Sequence, residues 1–368
     1  MEEHAIRTDI FQYDKAFLAY KSCNNDHERL SRLNHTFLKQ LQDLGLFYRQ
    51  DQVTLVGDIG CGDGEATITY LNNIEFKGGL DIRAMDKLAQ FAGTHQSSVK
   101  NATSEGEKGL ANETFSKAKQ SQVIPLKNYQ VNFGDMLEVD VAHLLYTDEE
   151  IKESMNRFNL VYLSHSVYYA RDQHKNGRYG VTNLLDSVAT DLLADDGVAI
   201  LFHAGLEFDT FTSISYYTRS LIHDIVPTEE ECNRISVTHI ISNSSRELGL
   251  TYFEIPYKFE LYFSKDCKKY ADVFKDPSRY HELQNDPAAL QDLYKIIFIA
   301  HRSPDDLYTD HSSRGLNNLV DKVLDCIKRN DSITLSASMQ VILSRKASDE
   351  FKQKIETAVK QCQNKFGD

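Results

Sequence analysis

The feature that most constrains this chain is Val56-Gly57-Asp58-Ile59-Gly60-Cys61-Gly62-Asp63-Gly64, a short apolar run that breaks into three alternating glycines. Val53, Leu55, Val56 and Ile59 have the spacing and composition of a buried strand, and residues 66–71 beyond the glycines have helical character. Glycines at such a junction let the backbone turn left-handed and let its amides approach a ligand where side chains would collide. Strand, tight turn and helix form the opening unit of a doubly wound sheet.

The alternation continues along the chain. A second strand is expected at 80–85 with Asp86 at its end, a third at 130–133 before Gly134 and Asp135, and a fourth at 160–163. A loop through Gly177 and Gly180 leads to a helix over 182–193, a turn at Asp195-Asp196-Gly197 and a fifth strand over 198–203. This order predicts an α/β fold with a Rossmann-like, mostly parallel sheet. At 368 residues the chain exceeds one ordinary core, so additions to a single α/β domain are expected.

Those additions are assigned by pattern. Residues 10–47 read as two helices, broken at Asn24-Asn25-Asp26, within an N-terminal segment of 1–50. The core is placed at 51–265, with a Ser-, Lys-, Asn- and Glu-rich mobile excursion at 93–128. Helices are expected after Ser213 and over 228–248, the latter closed by Gly249, followed by a strand over 252–263 interrupted by Pro256. Residues 266–330 read as a polar helical insertion, 338–344 as the final strand within a segment of 331–346, and 347–368 as a C-terminal helix. That helix carries Phe351, Ile355, Val359, Cys362 and Phe366 on one face.

Composition narrows the partners. Acidic residues outnumber basic ones by 54 to 41, for a net charge of −13, and no Lys/Arg cluster stands out, which argues against nucleic acid. The six cysteines are scattered without a CxxC pair, which fits a reducing compartment. No basic-then-apolar leader follows Met1, and the apolar stretch at 197–202 is too short to span a bilayer, so a cytoplasmic protein without a membrane anchor is expected. No HxxxH or HExxH spacing supports a metal.

Two acidic residues sharpen the glycine signal. Asp58 lies within the first strand, and Asp86 ends the second at the depth where a carboxylate takes both hydroxyls of a ribose. The glycines run G-x-G-x-G with Asp63 among them, a pattern that disfavours a pyrophosphate and suits a ligand bearing an ammonium group. Asp135 is placed to accept an adenine amine, beside its plainer reading as a turn residue.

These motifs resemble the class I S-adenosylmethionine methyltransferases over about residues 52–265. The resemblance implies S-adenosyl-L-methionine as cofactor, contacted by Asp58, Gly60, Cys61, Gly62, Asp86, Asp135, Met136 and Ser164, and an antiparallel last strand. A narrower likeness is to the histamine N-methyltransferase family. It runs through Tyr13, Phe17, Tyr20 and Asp26-His27, through Leu163-Ser164-His165-Ser166-Val167-Tyr168-Tyr169, through Leu248-Gly249-Leu250 with Tyr252, and through 330–335. It implies methylation of a small molecule, with acceptor contacts at Tyr13, Phe17, Asp26, Tyr169 and Asn330 and catalytic roles for His165 and Tyr169.

Each residue also has a plain structural reading. Tyr13 and Phe17 fit a helix core, Asp26 a helix cap, Tyr168-Tyr169 a packed strand end and His165 hydrogen-bonded scaffolding. At the level of function, transfer to a nitrogen of a histamine-like amine stands first. Transfer to a carboxylate, hydroxyl or protein side chain, or a non-catalytic cofactor-binding interaction protein, remain open because a fold does not set its acceptor. The oligomeric state, monomer or homodimer, stays open too.

Overall fold

The computed structural model describes residues 13–46, 52–93, 109–136, 140–153, 157–164, 166–170, 174–175, 178–204, 237–299 and 313–366. The strands of its main sheet, in chain order, are β1 (Thr54–Ile59), β2 (Leu80–Asp86), β3 (Leu126–Phe133), β4 (Phe158–Ser164), β5 (Leu193–Ala204), β6 (Tyr252–Tyr262) and β7 (Ser332–Leu343). They form one seven-stranded sheet in the order β3-β2-β1-β4-β5-β7-β6. The β3-β2, β2-β1, β1-β4 and β4-β5 pairs are parallel, as the strand and helix alternation requires. The last strand is antiparallel. At its two ends the Phe263 N–H donates to the Asp331 carbonyl and the Leu343 N–H to the Thr251 carbonyl, so β6 and β7 run in opposite directions. This is the Rossmann-like sheet expected. The strand order reverses between β1 and β4, and it is outside the carboxyl ends of strands at such a reversal that open α/β sheets bind ligands.

The α-helices of five residues or more are α1 (Tyr13–Ser22), α2 (Asp26–Asp43), α3 (Glu65–Leu71), α4 (Leu110–Ser121), α5 (Val141–Leu145), α6 (Asp148–Glu153), α7 (Gly180–Ser187), α8 (Val237–Glu247), α9 (Pro287–Ile299), α10 (Ser313–Cys326) and α11 (Asp349–Phe366). Ile59, Val161, Leu163 and Leu201 of the central strands pack with Leu145, Leu185 and Ile241 from α5, α7 and α8 in one buried cluster. In α11 the face expected to be apolar is buried at Phe351, Ile355, Val359 and Cys362. Gly249 closes α8 as expected, and does so in the left-handed region at φ +64°.

Several boundaries differ from the pattern reading, each for a local reason. The turn at 195–197 lies inside β5: register jumps from Phe158 opposite Leu193 to Leu160 opposite Val198, so the chain between bulges out of the ladder. A side chain at Gly197 would stand 2.4 Å from the Phe158 carbonyl oxygen. The helix expected over 182–193 ends in a π-helical turn, Val188–Leu192. Pro256 does not interrupt β6, because β6 is an edge strand and the exposed proline breaks no ladder on its open side. β7 begins at Ser332, since Ser332, Thr334 and Ser336 alternate with Ile333, Leu335 and Ala337, and Ser332 and Thr334 donate their hydroxyls to Glu260 at 2.6 and 2.8 Å.

The polar stretch at 93–128 is not an excursion throughout. It contains α4, which buries Ala111, Phe115 and Ala118 at helical spacing, and the first residues of β3. Residues 94–108, the helix expected after Ser213 and the first part of the one expected over 228–248 lie outside the described residues.

Two compact units emerge. One comprises 30–204, 237–257 and 338–368 and holds β1 to β5. The other is built from the described parts of 1–29 and 258–337. In the latter α1 packs on α9, with the Tyr20 and Phe298 rings 4.5 Å apart. Asn25 and Glu260 exchange two bonds: the Asn25 N–H donates to the Glu260 carbonyl at 3.1 Å, and the Glu260 N–H donates to Asn25 Oδ1 at 2.7 Å.

Candidate functional site

β1 is buried at all six positions, and past Ile59 the chain turns through Gly60, Gly62 and Gly64 at φ +76°, +54° and +78°. These left-handed values explain why glycine is required. The end of β2 shapes the turn. The Gly60 and Cys61 N–H groups donate to the Met85 carbonyl at 2.8 and 3.0 Å, and the Gly62 N–H donates to the Asp86 carboxylate at 2.9 Å. The other carboxylate oxygen of Asp86 accepts the Leu88 N–H at 2.9 Å, and the Asp86 carbonyl accepts the Gly134 N–H at 3.1 Å. Asp86 therefore joins the ends of β1, β2 and β3. A carboxylate has about four lone-pair positions, so two such bonds leave capacity for further donors such as sugar hydroxyls.

The three glycines are not equivalent. A Cβ at Gly60 would stand 2.5 Å from Cβ of Ser166, and one at Gly64 would stand 3.0 Å from the Phe115 ring. At Gly62, among the described residues beyond its chain neighbours, no atom lies within 4 Å of that point. Gly60 and Gly64 are close-packing positions, whereas Gly62 borders open space among the described residues.

The electrostatics of the turn are acidic. Asp58 is 2% exposed, accepts a short bond from the Thr67 hydroxyl, and is pushed by burial, with help from the charges of Asp86 and Asp63, to a pKa of about 7. Burial also raises the Asp86 carboxyl, against the pull of its N–H donors, and holds the Cys61 thiol well above its ordinary range, so Cys61 is no nucleophile. Asp63 accepts the Glu65 N–H at 3.1 Å at the start of α3. Carboxylates that destabilise one another gain from a nearby cation and lose from a pyrophosphate.

β4 supplies the opposite wall. Ser164 at its end is half-buried, with its hydroxyl 3.1 Å from the Tyr70 phenol of α3. Asn34, fully buried on α2, donates its amide to the Tyr70 carbonyl and the Tyr162 phenol, each at 3.1 Å. Burial lifts the Tyr162 phenol above its ordinary range, which keeps it neutral. Ser166, 2% exposed behind Gly60, has a hydroxyl without a hydrogen-bond partner among the described residues.

Asp58, Gly60, Cys61, Gly62 and Asp86 are thus brought together, with Ser164 at the end of β4. Asp135 and Met136 are half-buried just past β3, and the Met136 methyl lies 3.7 Å from the point where a Gly60 Cβ would stand. His165 lies outside the described residues, as do the side chains of Tyr13, Phe17 and Tyr169; the backbone of Tyr169 is in the 3-10 turn Val167–Ala170. Asp26, in the other unit, is 8% exposed in the first turn of α2, and its N–H donates to Asn24 Oδ1 at 2.9 Å. Asn330, in that same unit, is exposed in the turn before β7. Thr67, Tyr70 and Asn34 escaped the pattern reading. Only Asn34 carried a signal, as a polar residue on the stripe of Leu30, Leu33, Phe37, Leu38 and Leu41. Among the described residues no group of His, Cys, Asp and Glu is arranged to hold a metal ion, and no helix is long and apolar enough to cross a membrane.

No known family profile matches the sequence, and no curated protein matches it. Several solved structures are similar. The YcgJ protein of Bacillus subtilis aligns with a TM-score of 0.40 at 13% identity, over 84% of this chain and 99% of that one. The plantazolicin methyltransferase BpumL in complex with SAH aligns with a TM-score of 0.36 at 11% identity, over 90% of each chain. Haemonchus contortus phosphoethanolamine N-methyltransferase 2 in complex with S-adenosyl-L-methionine aligns with a TM-score of 0.34 at 13% identity, over 83% of this chain and 52% of that one. Likeness this distant assigns no chemistry; that rests on the geometry of the site itself.

Proposed function

We propose that this chain is an S-adenosylmethionine-dependent methyltransferase acting on a small molecule, with a nitrogen of a histamine-like amine as the acceptor. The observation that carries the cofactor reading is the bond from the Gly62 N–H to Asp86 in a left-handed glycine turn that opens onto free space. A carboxylate held there grips the sugar hydroxyls of a nucleoside. The acidic surroundings of Asp58 and Asp63 favour a ligand carrying positive charge. When bound, this cofactor supplies an activated methyl group on a sulfonium.

The protein's own task is then placement. Asp86, Gly60 and Gly62 hold the nucleoside end, Asp135 and Met136 border it, and Ser164 meets it from β4. Holding an uncharged nucleophile in line and excluding water supplies roughly 7 to 11 kcal/mol of barrier reduction without a covalent nucleophile. For the acceptor, the reading assigns Asp26 to a cationic nitrogen, Tyr13, Phe17 and Tyr169 to apolar and cation–π contact, Asn330 to a polar contact, and His165 to accepting a proton. Asp26 supports its part by its burial, since a carboxylate out of water binds a cation strongly.

Calorimetric titration with S-adenosylmethionine and with its demethylated product tests the first half. Saturable binding is expected, weakened about tenfold or more in Asp86→Asn by loss of charge-assisted bonds; no binding to the wild type overturns it. Labelled methyl transfer to a panel of small amines tests the second half. Asp26→Ala is expected to raise the acceptor KM while leaving the cofactor KM in place, and equal rises in both remove Asp26 from acceptor binding.

A further inference from the structure

We infer that Tyr70 is a positioning residue for the cofactor, acting through Ser164; the inference rests on the cofactor reading above. Tyr70 belongs to α3, the helix that follows the glycine turn, and is 2% exposed. Its ring packs against Tyr162 and Phe202, with centroids 5.4 and 5.0 Å apart, and that packing needs no hydroxyl. The hydroxyl reaches past the rings to the end of β4, where it lies 3.1 Å from Ser164 Oγ.

Ser164 is the last residue of the strand paired with β1 through Asp58 opposite Tyr162, and so ends beside the glycine turn. A serine hydroxyl is one donor and two acceptors on a freely turning bond. Engagement by Tyr70 occupies one of these valences and aims the remaining ones. Tyr70 is itself held from behind, since Asn34 donates both to its carbonyl at 3.1 Å and to the Tyr162 phenol on which its ring packs. The chain Asn34, Tyr70, Ser164 therefore transmits the packing of α2 and α3 to one hydroxyl at the mouth of the site, with every member inside a single compact unit.

The test is a double-mutant cycle on the affinity for S-adenosylhomocysteine, measured by calorimetry on the full chain, with the unliganded unfolding midpoint of each variant recorded alongside. Tyr70→Phe keeps the ring and deletes only the hydroxyl. It is expected to weaken binding about threefold to tenfold, the effect of one hydrogen bond. Ser164→Ala should weaken it similarly, and the double variant no more than the weaker-binding single one. A purely structural role for Tyr70 lowers the unfolding midpoint without this non-additivity. Wild-type affinity in Tyr70→Phe or in Ser164→Ala, or losses that add, overturns the positioning role while leaving the cofactor reading intact. Failure of the wild type to bind overturns both.

Discussion

A methyl group added at Gly60 would press on Ser166, whereas one added at Gly62 would meet no atom of the described residues beyond its chain neighbours within 4 Å. Both residues are left-handed, which costs an alanine roughly 1–2 kcal/mol at either position. The two substitutions should therefore separate folding from binding. Gly60→Ala is expected to lower the thermal midpoint markedly, and Gly62→Ala to lower it modestly while abolishing most affinity for the nucleoside; both are read by melting curves and calorimetry on the same samples. Asp58 makes a second prediction. Its folded pKa of about 7 lies above the 3.8 of an ordinary aspartate, so the folded state holds a proton that the unfolded chain releases, and stability falls as pH rises across that window. Asp58→Asn, which resembles the protonated acid, should flatten this fall in urea titrations run between those pH values; an unchanged slope removes Asp58 as its source. At this scale the glycines and Asp86 were legible in the sequence because backbone sterics and strand-end position act over a few residues.

Elements show where short-range reading fails. The turn at 195–197 carries strong breaker residues, yet β4 provides a partner on both sides of it and the ladder closes around a bulge. Ser332 and Thr334 look too polar for an interior strand until Glu260 accepts their hydroxyls. α6 is stabilised by a reciprocal cap, in which the Thr147 N–H donates to Glu150 at 2.9 Å and the Glu150 N–H donates to Thr147 Oγ1 at 3.3 Å. With Arg83 alongside, Glu150 is held down at a pKa of about 2, below its ordinary 4.5, so its contribution is present above 4.5 and is lost as pH falls toward 2. Glu150→Gln should remove that part of the acid-unfolding curve, opposite in sign to the Asp58 effect. On α9 the ammonium of Lys295 lies 2.7 Å from Asp292 and donates to the Tyr262 carbonyl, both charges being within 2% of full burial. Lys295→Met leaves the buried Asp292 carboxylate without its cation, still held by the Ser264 N–H and hydroxyl, and is expected to cost about 3–5 kcal/mol in chemical denaturation; a loss under about 1 kcal/mol, the size of a surface pair, refutes it.

For the molecule as a whole, a ligand that binds only the folded state raises stability with the logarithm of its concentration over its dissociation constant. S-adenosylmethionine at one hundred times its dissociation constant should add about 2.7 kcal/mol and raise the thermal midpoint, while a pyrophosphate-bearing dinucleotide at equal concentration should leave it unmoved; the reverse order would reject the acidic-turn argument. The sequence by itself determined the alternation of strand and helix, the left-handed glycine turn and the carboxylate at the end of β2, because each depends on residue type, periodicity and steric limits within one or two elements. Tertiary structure alone decided which glycine faces open space and how Asn34, Tyr70, Tyr162 and Ser164 join into one network. Those bonds link residues 36, 94 and 128 positions apart, and a hydrogen bond between such distant groups exists only once packing has brought them within 3.1 Å of each other.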